Sequence, residues 1–103
     1  MRNLQYDDTL NRALKMVGKK YDLLIIESIN SNKNRVHFNE LIKAIPSINP
    51  RILSMRLKSL EQTKLITKSI LIGTPVQTVY SLTDRAEELI EIIEMLKEWV
   101  KKS

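Results

Sequence analysis

A mainly α (α+β) fold is what the sequence predicts, and three observations carry that expectation. Apolar residues recur at helical spacing in five separate stretches. β-Branched residues gather in one region, on either side of Gly73-Thr74-Pro75. With only 2 Gly and 3 Pro in 103 residues, the chain lacks the turn residues that an all-β sandwich or barrel needs. The length allows a single domain, 1–103, built on one core. Hydrophobic residues at 43% and charged residues at 28% are those of a globular domain rather than a disordered tail.

The first helix is expected over Thr9 to Val17, where Leu10, Ala13, Leu14 and Val17 are spaced for one face behind Asp7-Asp8, and Gly18 ends it. Tyr21 to Ile29 is apolar nearly all round, which predicts a helix at the centre of the domain. Asn30 to Asn34 is polar and turn-forming. Arg35-Val36-His37 is short and β-compatible. Phe38 and Asn39 then read as a hydrophobic N′ residue and an N-cap for a helix carrying Leu41, Ile42 and Ile45, which Pro46 stops. After a turn at Ser47-Ile48, Asn49 is a good N-cap and Pro50 occupies the first helical position, where its missing N–H costs nothing. The following helix runs to about Gln62 on Leu53, Leu57 and Leu60. Helix, short turn, helix over 39–62 is the geometry of a helix-turn-helix. Leu65 to Ile72 and Val76 to Leu82 form a hairpin, the wing, and Thr83-Asp84 opens a last helix to about residue 102. The whole order is that of a winged helix-turn-helix.

Charge is unevenly placed. Residues 1–82 hold 13 Lys/Arg against 6 Asp/Glu, whereas residues 83–103 hold 4 against 6. Between 33 and 68 eight cations face only Glu40 and Glu61, as on a surface that meets phosphates, although a merely solvated basic surface would look the same by charge alone. Cysteine is absent, which removes disulfides, thiolate metal sites, cysteine nucleophiles and thiol redox switches. His37 is the only histidine and has no ligand partners. There is no Gly-rich phosphate loop and no nucleophile elbow, so no catalytic residue, metal or cofactor is expected. No apolar run is long enough to span a membrane and the N-terminus does not read as a secretory signal, so a cytoplasmic protein is expected.

The second helix of the pair decides what the basic region is for. With Leu53 at zero, Leu57 and Leu60 fall at about +40° and −20° and define the buried stripe. Arg51, Met55 and Lys58 then point away, at about 160°, 200° and 140°, with Ser54 and Ser59 flanking them and Arg56 at about −60° on the border. Arg can bridge guanine O6 and N7, Ser can reach base or phosphate, and Met can pack on a thymine methyl. The expected base-reading residues are therefore Arg51, Ser54, Met55 and Lys58. Asn39, Lys43, Arg56, Lys64, Lys68 and Gln77 are placed against phosphates or the adjoining groove.

At these residues the chain resembles the HxlR-type winged helix-turn-helix transcription regulators. The matching strings are Gly18 to Ile26 (GKKYDLLII), Phe38 to Leu41 (FNEL), Ile48 to Glu61 (INPRILSMRLKSLE) and Tyr80 to Thr83 (YSLT), spread over roughly residues 10 to 90. The most specific is Asn-Pro-Arg-x-Leu-Ser-x-Arg-Leu at 49–57, where the family usually has Ser in place of Asn49. The resemblance implies a homodimer joined by its N- and C-terminal helices and a recognition helix at about 49–61. Three departures stand out. Tyr21 replaces a frequent Trp. The N-terminal Cys through which several members sense oxidants is missing. Gln77 stands where the wing often carries Arg, which weakens any minor-groove contact there.

The last helix bears on the dimer. Leu89, Ile93, Leu96 and Val100 would suffice to cover the core, and Ile92, Met95 and Trp99 widen the apolar arc beyond that need. Leu10, Leu14, Ile92, Met95, Leu96 and Trp99 are the expected dimer contact. Glu87, Glu91, Glu94 and Glu98 make a solvated acidic ridge on the other side. The expected function is a dimeric, sequence-specific duplex-DNA-binding regulator on a pseudo-palindromic site. The alternative is a winged-helix protein-interaction module that has lost DNA reading, suggested by the arginine-poor wing and by Met55 where the family commonly has Gln. A small apolar effector at the dimer contact stays open, since no residue demands one.

Overall fold

The computed structural model describes residues 5–103. Its helices are α1 (Thr9–Val17), α2 (Asp22–Ser31), α3 (Phe38–Ala44), α4 (Pro50–Gln62) and α5 (Asp84–Lys101). Its strands are β1 (Val36–His37), β2 (Ile66–Leu71) and β3 (Gln77–Leu82). The strands form one antiparallel sheet in the order β1-β3-β2, with Val36 opposite Tyr80 and with Lys68 opposite Tyr80 on the other side. This is the winged helix-turn-helix that the sequence predicts.

Each boundary has a local cause. Gly18 ends α1 where an added Cβ would lie 2.1 Å from the Leu14 carbonyl oxygen, so no other residue fits without a shift. Asn49 caps α4 through its Oδ1, which accepts from the Ile52 N–H at 2.8 Å, ahead of Pro50 at the first helical position. Thr83 caps α5 by accepting from the Ala86 N–H. The turn between α3 and α4 passes through Ser47 at φ +65°, a left-handed conformation in which its carbonyl accepts from the Tyr21 hydroxyl at 3.2 Å.

Four local expectations differ from the structure. The N-cap of α3 is His37 and not Asn39. Phe38 is the first helical residue, and the Glu40 carboxylate reaches back to accept from the His37 N–H at 2.8 Å. The reason is the strand: β1 runs through His37, so the chain enters the helix straight from an extended residue. Second, α2 is not buried all round, because Leu24 is 44% exposed while Asp22 is wholly buried. Third, α5 covers the core with Ala86 and Ile93 only. Leu96 and Val100 lie beyond the end of the globule and face solvent.

The fourth concerns Arg56, expected at phosphate. It is instead turned inward against Asp22, its Nε donating to Oδ1 at 2.8 Å and its second guanidinium nitrogen to Oδ2 at 3.1 Å. Asp22 also accepts from the Lys19 N–H at 2.9 Å, so a fully buried carboxylate has every oxygen engaged. Its position on the border of the stripe is what lets Arg56 reach in. The core itself is Ile25, Ile26 and Ile29 of α2 against Leu41, Leu53, Leu57, Leu60, Val36 and Ile66, and the expected stripe of α4 is the buried one.

Two stability outcomes follow from these contacts. Arg56→Met should cost about 3–5 kcal/mol in urea unfolding, since it strands a buried carboxylate, and adding Asp22→Leu should recover most of that loss. A single variant within about 0.5 kcal/mol of the parent would refute the clamp. Asn49→Ala should cost about 1 kcal/mol, and Asn49→Gly only a few tenths.

Candidate nucleic-acid interface

Because Leu53, Leu57 and Leu60 anchor one side of α4, its opposite side is held outward on a rigid support. Arg51, Ser54, Met55 and Lys58 are all exposed there, Met55 at 57%. Arg51 lies in the first turn, where the α4 N-terminus adds its own partial positive charge. A groove runs between α4 and the sheet, lined by Ser54, Leu57, Lys58, Glu61, Lys68 and Tyr80. It brings Lys58 and Lys68 to opposite walls. Burial, and then the charge of Glu61, push the Tyr80 phenol above its ordinary value, so it stays protonated across the neutral range.

A second cleft lies between the start of α3 and the wing, lined by His37, Phe38, Asn39, Val76, Gln77 and Thr78. Asn39 and Gln77 thus share one small site. The Nδ1 of His37 lies 3.1 Å from the Thr78 carbonyl oxygen; a carbonyl can only accept, so that nitrogen carries the hydrogen. Lys43 is exposed on α3. Lys64, with φ +62°, is exposed just past the C-terminus of α4, about 20 Å along the helix from Arg51. The structure therefore groups Arg51, Ser54, Met55, Lys58 and Lys68, sets Asn39 with Gln77, and leaves Lys64 at the far end.

Pairing separates the cations. Among the described residues, Arg51, Lys43, Lys58, Lys64 and Lys68 form no ion pair. Arg56 is committed to Asp22, and Lys97 of α5 donates to Glu27 at 2.9 Å and Glu94 at 3.4 Å, which raises its pKa. Cations left unpaired on one face are available to an anionic partner. The residue that sequence reasoning missed is Asp22. Its signal was present: a lone charge in the run Tyr21 to Ile26, with an arginine on the edge of a buried stripe elsewhere.

The apolar residues of α1 and α5 sit away from this face. Leu10 and Leu14 are exposed on α1, and Ile92, Met95, Leu96 and Trp99 on α5, Trp99 at 69%. A cleft between the two helices, lined by Ala13, Met16, Val17, Leu65, Arg85, Leu89 and Ile92 among others, brings Ile92 beside α1. Among the described residues no group of three or more His, Cys, Asp or Glu could hold a metal ion, and no helix is long and apolar enough to cross a membrane.

Known proteins resemble this chain over nearly its whole length. Residues 16–103 match the HxlR-like helix-turn-helix family. The HTH-type transcriptional regulator YodB of Bacillus subtilis (strain 168) is 31% identical over 90 residues, covering 87% of this chain and 79% of that protein. Its structure in the reduced form superimposes with a TM-score of 0.80 at 28% identity, over 95% of this chain and 94% of that one. A structure from Porphyromonas gingivalis W83, assigned to the MarR family of transcriptional regulators, superimposes with a TM-score of 0.85 at 28% identity over 99% of both chains. With an exposed cationic recognition helix, a wing beside it and these relatives, the chain belongs to the HxlR-like helix-turn-helix family and is a DNA-binding transcriptional regulator, not an enzyme.

Proposed function

We propose that the chain acts as a homodimer on a pseudo-palindromic duplex site in the cytoplasm, with α4 of each subunit in successive major grooves about 34 Å apart. The observation that carries this reading is the outer face of α4, where exposed Arg51 and Lys58 have no internal partner among the described residues. Arg51, Ser54, Met55 and Lys58 read base edges. Lys43 and Lys68 hold the phosphates that flank the groove, Asn39 and Gln77 meet the backbone from their shared cleft, and Lys64 adds an outer phosphate contact.

The dimer rests on the exposed apolar side chains of α1 and α5. Leu10, Leu14, Ile92, Met95, Leu96 and Trp99 together exceed what a monomer leaves to water without cost. Solved relatives include a redox regulator, HypR, in its oxidised form, and YodB bound to quinone. This chain has no cysteine, so a thiol switch is chemically closed to it, and any effector must act by non-covalent binding or through another group.

Selection of bound sequences from a random duplex pool tests the reading directly. A twofold-symmetric motif with half-sites one helical turn apart is the expected result, and recovery of no duplex would favour the protein-interaction reading. On the selected site Arg51→Ala should lose about 1–3 kcal/mol, concentrated at one base pair per half-site. Lys43→Ala should weaken all sites alike and reduce the salt slope by about 1. Trp99→Glu should retain the helical circular-dichroism signal but run as a monomer by light scattering; a variant that stays dimeric would remove Trp99 from the contact.

A further inference from the structure

The wing is charged where it leaves the core and apolar where it ends. From Ser69 to Thr83 there is neither Lys nor Arg. In the same stretch Ile70, Ile72 and Val76 are 62%, 96% and 63% exposed. Three β-branched aliphatics at the tip of a two-stranded arm are a solubility liability, and a hairpin tip without a partner is ordinarily polar. Something covers them when the protein works.

Their placement says what. Along β2, Lys68 and Ile70 share one face, and Lys68 lines the groove beside Ser54 and Lys58 of α4. The apolar row therefore continues outward from the cationic edge of the recognition helix, on the same side of the sheet. Ile72 lies four residues beyond Lys68, about 13 Å along an extended arm. That reach is enough to pass the phosphate ridge bordering the major groove and enter the neighbouring minor groove, which is about 6 Å wide. The minor groove has apolar deoxyribose walls, against which an aliphatic side chain packs without a charge.

We propose that the wing tip, Ile72 with Val76 and Ile70 behind it, is an apolar minor-groove contact that takes the place of a cationic wing. This rests on the duplex-DNA reading above and extends it: Lys68 holds the phosphate at the root of the wing, and Ile72 is buried between the sugar walls beyond it. Such a contact favours A·T-rich flanks, where no guanine amino group obstructs the floor of the groove.

The test compares the full chain with Ile72→Ser and Ile72→Arg on a duplex recovered by the selection experiment, each variant first checked for parental circular dichroism. Ile72→Ser should bind about tenfold more weakly, as expected for losing some 50–60 Å² of apolar burial. Its dependence on salt should match the parent, because no counterion is released by an isoleucine. Hydroxyl-radical protection of the sugars flanking each half-site should disappear. Ile72→Arg should regain affinity with a salt slope steeper by about 1. Parental affinity and protection for Ile72→Ser would overturn the wing assignment and leave the recognition helix standing. So would a change in oligomer mass with no change in footprint, which would place the tip against protein. If the parent retains no duplex at all, the DNA reading fails and takes this one with it.

Discussion

The buried ion pair between Asp22 and Arg56 is the constraint on which the geometry of this molecule depends. Hydrophobic contacts between α2 and α4 hold the two helices together but do not by themselves specify rotation, because apolar surfaces can slide at small cost. A bidentate guanidinium–carboxylate contact cannot slide. Arg56 sits on the same helix as the outward-facing residues, so locking its azimuth locks theirs. The Tyr21 hydroxyl bond to Ser47 pins the turn that precedes α4 to the same end of α2. Two neighbouring residues, Tyr21 and Asp22, thereby set both the entry and the roll of the recognition helix. The pair is retained in spite of its desolvation cost, and the positioning of α4 supplies a reason that stability alone does not.

That arrangement divides the cations into two populations. Arg56 and Lys97 are spent on carboxylates of the same chain. Arg51, Lys58 and Lys68 form no ion pair among the described residues and converge on one face. The acidic residues of α5 are kept on the opposite end of the chain's charge distribution, where they repel a polyanion from the helices proposed to join two subunits. The wing departs from a purely electrostatic plan: its root is cationic at Lys68 and its tip is aliphatic. A charged helix draws the duplex in at long range, and an uncharged tip discriminates only at contact.

Much of this was legible from residues alone. The stripe Leu53, Leu57, Leu60 settled which side of α4 is buried, because a helix has one period and only one face of this one is apolar. Asn49-Pro50 and Thr83 marked helix starts because capping is chemistry between near neighbours. The hairpin was legible from its β-branched arms around Gly73-Thr74-Pro75. Where the reading failed, a partner distant in sequence had intervened. Asn39 lost the cap to His37 because β1 pairs with β3, and Leu96 and Val100 stayed exposed because nothing of the globule extends that far along α5.

By itself, then, the sequence determined periodicity, caps, turns and the sign and crowding of charge, all of which are interactions within a few residues of the chain. Only the tertiary structure decided which cations are free. Arg51 and Arg56 are alike in type and five positions apart, yet one faces water and the other is consumed by Asp22, 34 residues away. A charge is neutralised by whatever lies within about 4 Å of it, and that neighbour is chosen by how helices pack, which no local pattern specifies.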